Sequence, residues 1–115
     1  MHETSLIQFT LDAVERRAMQ LGMRHVKSIH LVVGDMRGAL PNLLQHGFTI
    51  LTSRRPLFAG AVLEVETRSV VLQCRCCGCR FAVEEFHNIT CPDCGAPEYV
   101  VAQGNELLIE SFEGE

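Results

Sequence analysis

The sequence predicts an α+β fold: a small mixed sheet with two helices, plus an inserted lobe built around four cysteines. Two segments carry apolar residues at helical spacing, and three others are rich in β-branched or alternating residues. Two cysteine pairs of equal spacing lie between the last two predicted strands, which is typical of a zinc-ribbon-like lobe with a tetrathiolate metal site. With 115 residues, 47% of them hydrophobic, the chain can build one core and such a lobe.

The first predicted helix covers residues 5–21 and leads into a strand at 26–33. Ser5 and Gln8 have the spacing of a capping box at the helix start, and Gly22 is placed to end the helix. One apolar stripe runs along the helix through Ile7, Leu11, Val14, Ala18 and Leu21. The strand is predicted from the branched residues Val26, Ile29, Val32 and Val33.

A second helix is predicted from Pro41 to Ser53, because proline suits the first helical position and apolar residues again recur at helical spacing. That apolar set comprises Leu40, Leu43, Leu44, Gly47, Phe48 and Leu51. Residues 61–68 alternate apolar and acidic side chains and predict a half-buried strand. Residues 106–112 predict the last strand, which should rejoin the first sheet. This order predicts one body from 1–69 with 104–115, and an inserted lobe at 70–103.

The cysteine pairs indicate a tetrahedral metal site made by Cys74, Cys77, Cys91 and Cys94. Each pair is followed by a glycine, Gly78 or Gly95, which lets the backbone fold back in a tight turn. Four thiolates suit Zn²⁺. A disulfide framework is the alternative, but the N-terminal segment is interrupted by charges and does not resemble a signal peptide.

Two further cysteines, Cys76 and Cys79, form an interleaved pair of the same spacing. Arg80 follows Cys79 where a metal-binding turn favours glycine, so these two are predicted to be extra thiols. A redox role for the pairs is less consistent with two glycine-backed turns.

The tripeptide Met1-His2-Glu3 is a candidate second metal site. The α-amine of Met1, main-chain amide nitrogens and the imidazole of His2 can close adjacent chelate rings. Planar nitrogen donors favour Ni²⁺ or Cu²⁺ over Zn²⁺. The other histidines, His25, His30, His46 and His87, have no ligand spacing and are predicted to be surface or packed residues.

In combination these features resemble the hydrogenase maturation nickel-insertion family, HypA/HybF. The resemblance rests on the N-terminal tripeptide, Gly34-Asp35, Leu40-Pro41, Gly60-Ala61, the two cysteine pairs and residues 104–109, in that order. It implies a nickel metallochaperone in which His2 binds Ni²⁺ with main-chain nitrogens of Met1 and Glu3, while the four paired cysteines bind structural Zn²⁺. It also implies delivery to the apo large subunit of nickel-iron hydrogenase with a GTPase, and in some members service to urease.

The competing interpretations are a zinc-ribbon interaction module of transcription or other macromolecular machinery, and a zinc enzyme. The net charge of −4, with two basic and four acidic residues between Ser69 and Gln103, disfavours nucleic acid. Catalytic zinc keeps an open position that four thiolates do not leave, so we expect no enzyme. No apolar run is long enough to span a bilayer, and we expect a cytoplasmic protein, either monomer or homodimer.

Overall fold

The computed structural model describes residues 3–115, and Met1 and His2 lie outside the described residues. Within them the α-helices are α1 (Glu3–Gln20) and α2 (Pro41–Thr52), and short 3-10 helices cover Asp35–Arg37 and Pro56–Phe58. The strands are β1 (Val26–Gly34), β2 (Val62–Arg68), β3 (Val71–Cys74), β4 (Arg80–Ala82), β5 (Tyr99–Gln103) and β6 (Leu107–Gly114). The predicted α+β class, with two helices and an inserted cysteine lobe, is confirmed.

The chain folds as two compact units. The first contains the chain up to Val32, Ala39–Glu66 and Leu107–Glu115, and the second contains Val33–Gly38 and Thr67–Glu106. One three-stranded sheet has the order β2-β1-β6, so the last strand rejoins the first sheet as predicted. His25 and Glu115 exchange main-chain hydrogen bonds of 2.8 Å in both directions, which is the pairing of antiparallel neighbours.

The first unit buries the apolar faces of both helices together with its sheet. Gly47 of α2 comes close to Ile7 of α1, because a Cβ at Gly47 would lie 3.9 Å from the Ile7 side chain. The core of this unit includes Leu6, Ile7, Leu11, Val14, Val26, Ile29, Leu31, Leu44, Phe48, Phe58 and Leu63.

The start of α1 corrects the sequence prediction. The helix already includes Glu3, so Ser5 lies inside the first turn and the predicted capping box is wrong. Gln8 instead donates to the Asp12 carboxylate at 3.0 Å along the exposed face. The helix end is as predicted, since Gly22 has φ 69° and the N–H groups of Gly22 and Met23 reach Met19 and Ala18 in a Schellman motif.

The predicted apolar stripes are only partly buried. Leu21 is 55% exposed because α1 ends at Gln20, and at the start of α2 Leu40 and Leu43 are 57% and 47% exposed. Thr10, which the apolar pattern missed, is fully buried. Its hydroxyl donates to the carbonyl of Leu6 at 2.9 Å, which offsets the cost of burying a polar group.

The second unit holds a sheet of order β4-β3-β5. Strand β3 pairs antiparallel with both neighbours, with Val71 opposite Ala82 on β4 and Cys74 opposite Tyr99 on β5. The end of β1 belongs to this unit: the Gly34 N–H donates to the carbonyl of Glu106, and the Met36 N–H to that of Gly104, both at 2.8 Å. The paired cysteines are therefore attached to a small sheet with its own main-chain contacts.

Gly34→Ala should destabilise the protein by about 3 kcal/mol or more, as steric overpacking does when backbone must move. A Cβ at Gly34 would overlap the carbonyl of Gly104 and lie 2.6 Å from the Asn105 nitrogen. The matched control is Gly47→Ala, which adds the same methyl group inside α2 at ordinary contact distance and should stabilise by about 0.5–1 kcal/mol. Urea unfolding of both variants measures the difference. Equal stabilities would contradict the close approach at Gly34.

Candidate metal centre

Four thiols converge in the second unit. The sulfurs of Cys74, Cys77, Cys91 and Cys94 all lie within 4.8 Å of one another. The Sγ atoms of Cys74 and Cys94 are 3.5 Å apart, as are those of Cys77 and Cys91. Cys74 ends β3, so the sheet positions one side of the cluster.

Two turns of matching geometry present these sulfurs. In the first turn the Gly78 N–H donates to the carbonyl of Cys74 at 3.0 Å, and in the second the Gly95 N–H donates to that of Cys91 at 2.8 Å. Gly78 and Gly95 have φ of 76° and 77°, a left-handed conformation that favours glycine. The sequence signal for this geometry was therefore the glycine after each pair.

In each turn, main-chain N–H groups give the first cysteine a pKa below its ordinary value. The N–H of Cys77 lowers the pKa of Cys74, with burial opposing it. The N–H of Cys94 lowers the pKa of Cys91 to about 6. Hydrogen bonds to the charged form of a thiol favour that form. Cys74 and Cys91 are thus the thiols that ionise first.

The partner thiols hold their protons more tightly. The Cys79 N–H alone would lower the pKa of Cys77. The hydrogen bond with the Cys91 sulfur and burial outweigh it and raise that pKa to about 12. In the same way, the Ala96 N–H lowers the pKa of Cys94, but the hydrogen bond with the Cys74 sulfur and burial outweigh it and raise that pKa. Four like-charged sulfurs at this spacing repel, so all four ionise together only around a cation.

The dimensions of the cluster suit a tetrahedral metal ion. Zn–S bonds of about 2.3 Å imply sulfur-to-sulfur edges of about 3.8 Å in a regular tetrahedron. The sulfur pairs here, at 3.5 Å and with no separation above 4.8 Å, fall around that value. The four cysteines can therefore hold a metal ion with little rearrangement.

The two extra thiols lie outside this group. Cys76 is exposed and Cys79 half-buried, and neither belongs to the cluster of four sulfurs. Partial desolvation by the surrounding protein is the main cause that raises the pKa of both thiols, followed by the negative charge of the neighbouring Cys74 or Cys91 sulfur. Their thiols lack the main-chain donation that favours thiolate at Cys74 and Cys91.

The predicted nickel site falls mostly outside the described residues, because Met1 and His2 are not described. Glu3 is the first residue of α1 and is half-buried. Its carboxylate accepts a hydrogen bond from the N–H of Leu40 at 3.4 Å. Sequence reasoning missed this side-chain contact, and no local signal could have found it because the partners are 37 residues apart.

The other histidines do not assemble a comparable cluster within residues 3–115. His30 lies against two glutamates, 3.2 Å from Glu66 and 3.9 Å from Glu64, on the exposed side of the sheet. His87 lies 3.7 Å from Glu85, and both side chains are exposed. Over the same part of the chain, no helix is long and apolar enough to cross a membrane.

The chain matches a protein-family model over residues 1–114, and the model describes HypA, a metallochaperone of hydrogenase and urease nickel incorporation. The hydrogenase maturation factor HypA of Moorella thermoacetica is 36% identical over 115 residues, covering 100% of both chains. That of Syntrophus aciditrophicus is 36% identical over 108 residues, covering 94% of this chain and 93% of the relative.

The fold is also similar to that of solved structures. The solution structure of the Ni metallochaperone HypA from Helicobacter pylori superposes with a TM-score of 0.71 at 21% identity, covering 99% of this chain and 97% of the other. A second solution structure of a HypA protein gives a TM-score of 0.75, also at 21% identity, and covers 100% and 97%. The family match over nearly the whole chain and the shared fold place this protein in the HypA family of hydrogenase maturation factors.

Proposed function

We propose that this protein is a nickel metallochaperone that binds Ni²⁺ at its N-terminus and helps deliver it to apo nickel-iron hydrogenase during maturation. The observation that carries the proposal is the family match over residues 1–114, which begins at Met1 and includes the tripeptide. His2 supplies the imidazole ligand, and main-chain nitrogens of Met1 and Glu3 complete most of a planar nitrogen set. Such donors select Ni²⁺ or Cu²⁺ over Zn²⁺.

The four clustered cysteines bind a structural Zn²⁺. Their sulfur spacing supports a tetrahedral ion, and soft thiolates are the ligands that zinc prefers. Four protein ligands leave no coordination position for water or substrate, so the site stabilises the fold and does not catalyse a reaction. The protein acts as a carrier of metal and not as an enzyme.

The two metals belong to different parts of the chain. Nickel binding belongs to the α/β body of residues 1–69 with 104–115, and zinc binding to the lobe of residues 70–103, although Val33–Gly38, 67–69 and 104–106 cluster with the lobe in the structure. The support for this division is that α1, which follows the tripeptide, and the cysteine cluster lie in different compact units. Each metal can then be bound or lost without the other.

The partners follow from the family role in hydrogenase maturation. The protein receives or transfers nickel in the cytoplasm together with a maturation GTPase, and its recipient is the precursor of the hydrogenase large subunit. Service to urease maturation proteins is consistent with the family description, which includes urease. A homodimer is compatible with these roles, as is a monomer.

Complementation tests this function. In cells that lack their own HypA, the wild-type gene should restore hydrogenase activity at limiting nickel, and His2→Ala should not. The control is His46→Ala, which removes an exposed imidazole from α2 and should complement fully. Cellular protein level, measured by immunoblot, separates loss of function from loss of protein. Full rescue by His2→Ala at limiting nickel would refute delivery through the N-terminal site.

A further inference from the structure

The side chain of Glu3 connects the beginnings of the two helices. Its Oε1 atom accepts a hydrogen bond from the main-chain N–H of Leu40 at 3.4 Å, across 37 residues of sequence. Glu3 is the first residue of α1, and Leu40 is the residue before α2. Both lie in the same compact unit. A residue of the nickel tripeptide thus contacts the main chain at the start of α2.

The start of α2 lacks a capping side chain and an acidic residue of its own. Leu40 is the N-cap residue, with extended backbone of φ −90° and ψ 125°, and makes no side-chain capping bond. Pro41 at the first helical position has no N–H to donate. The first turn of α2 contains no acidic residue. The negative charge that favours a helix N-terminus is supplied here by Glu3 from the other helix.

We propose that Glu3 is a positioning residue: its carboxylate, held by the Leu40 N–H, fixes Glu3, whose main-chain nitrogen belongs to the nickel site, at the start of α2. This inference rests on the proposed function, because it concerns the same N-terminal site. The main-chain nitrogen of Glu3 is a nickel donor in that site, and its carboxylate has a separate task in holding the residue. The two roles use different atoms and are compatible.

Anchoring Glu3 raises nickel affinity because it lowers the conformational entropy that the site loses when it binds the metal. Main-chain donors bind in one geometry, and each backbone residue that is ordered on binding carries an entropic cost. A site whose donors are already oriented incurs less of this cost. Glu3 has helical backbone as the first residue of α1, and the bond to Leu40 restrains its side chain as well. The restraint therefore favours the metal-bound geometry over a frayed helix end.

Double-mutant analysis of nickel affinity tests the contact. Glu3→Ala removes the acceptor, and Leu40→Pro removes the donor while leaving the carboxylate in place; φ of −90° is near the range that proline adopts. Each variant should weaken nickel binding about fivefold, the size of a typical net hydrogen bond in a protein. The double variant should be no weaker than either single variant, because both changes break one interaction.

Three further variants are matched controls. Leu40→Ala changes the side chain but keeps the N–H, and should bind nickel as the wild type does. Thr4→Ala makes an exposed change beside Glu3 in the same turn of α1 and should also have no effect. Glu3→Gln keeps an acceptor oxygen without the charge and should fall between wild type and Glu3→Ala. A second readout is amide hydrogen exchange at Leu40, which should be faster in Glu3→Ala than in Thr4→Ala.

The outcomes separate this inference from the proposed function. If wild type does not bind nickel through His2, the proposed function fails. If His2→Ala abolishes binding but Leu40→Pro binds as wild type does, the positioning role of Glu3 is wrong. A loss in Glu3→Ala without a loss in Leu40→Pro means that the carboxylate acts on nickel directly, which also overturns the inference. Should Leu40→Pro not fold, unchanged Leu40 exchange in Glu3→Ala overturns it instead.

Discussion

Adding two residues before Met1 is expected to weaken nickel binding by more than about a hundredfold, whereas a single added residue would create a new amine–amide–amide–imidazole chelate with the same histidine. The extension converts the α-amine into an amide within the chain, which removes the terminal chelate ring while every side chain remains. Loss of a ligand should exceed the 10- to 100-fold effect of changing a residue that only supports a ligand. The loss should approach that of His2→Ala. Nickel titration of the untagged, extended and His2→Ala proteins by calorimetry measures it.

A two-residue extension after Glu115 is the control, because it changes length and mass without touching the amine. It should bind nickel with wild-type affinity. Binding of wild type should also weaken as the solution is acidified, since protons compete with the metal for amine and imidazole nitrogens. Zinc content and helicity should stay unchanged in all of these variants. Equal nickel affinities in the three length variants would exclude the terminal amine as a ligand.

Cys91→Ser is expected to release the zinc ion and destabilise the cysteine lobe. Binding free energy at structural zinc sites is folding free energy, with apparent values of about 10–16 kcal/mol in small zinc-dependent peptides. Cys91 is buried, and the N–H of Cys94 lowers the pKa of its thiol to about 6. Replacing this sulfur therefore removes a ligand and leaves a buried hydroxyl in its place. Metal analysis and thermal unfolding measure the two effects.

The extra thiols are matched controls for this substitution. Cys76→Ser and Cys79→Ser change the same atom type in the neighbouring turn, yet each should keep a full zinc ion, because both thiols lie outside the cluster of four sulfurs. Nickel binding at the N-terminus should persist in Cys91→Ser. Zinc loss in Cys79→Ser, with metal retained in Cys74→Ser, would mean that the other cysteine pair provides the ligands.

Local patterns in the sequence were sufficient for most elements. Helical periodicity and Pro41 located α2 to within one residue of its observed end at Thr52, and Gly22 located the end of α1. These signals are reliable because they depend on backbone conformation and solvent contrast within a few residues. The capping box at Ser5 failed for the same reason: a local pattern can occur one turn inside a helix that starts earlier.

The four cysteines of the cluster could be predicted from the sequence, whereas other long-range contacts of the chain could not. Each turn is defined by residues close in sequence, because it needs only two cysteines at short spacing and a glycine with φ near 76°. Bringing the turns together requires the sheet that holds Cys74 opposite Tyr99, and that pairing has no short-range signal. The identity of the four ligands could be inferred from spacing, whereas the 3.5 Å approach of their sulfurs required the fold.

By itself the sequence determined the order of the two helices and of the three strands of the first sheet, the two glycine-backed cysteine turns and the tripeptide at the N-terminus, but not the strands β3, β4 and β5 of the lobe. Only the tertiary structure decided that a Cβ has no room at Gly34 beside Gly104, and that the Glu3 carboxylate meets the Leu40 N–H. The physical reason is sequence separation. Turns and helices are set by bonds within a few residues, whereas these contacts exist only after distant segments have packed.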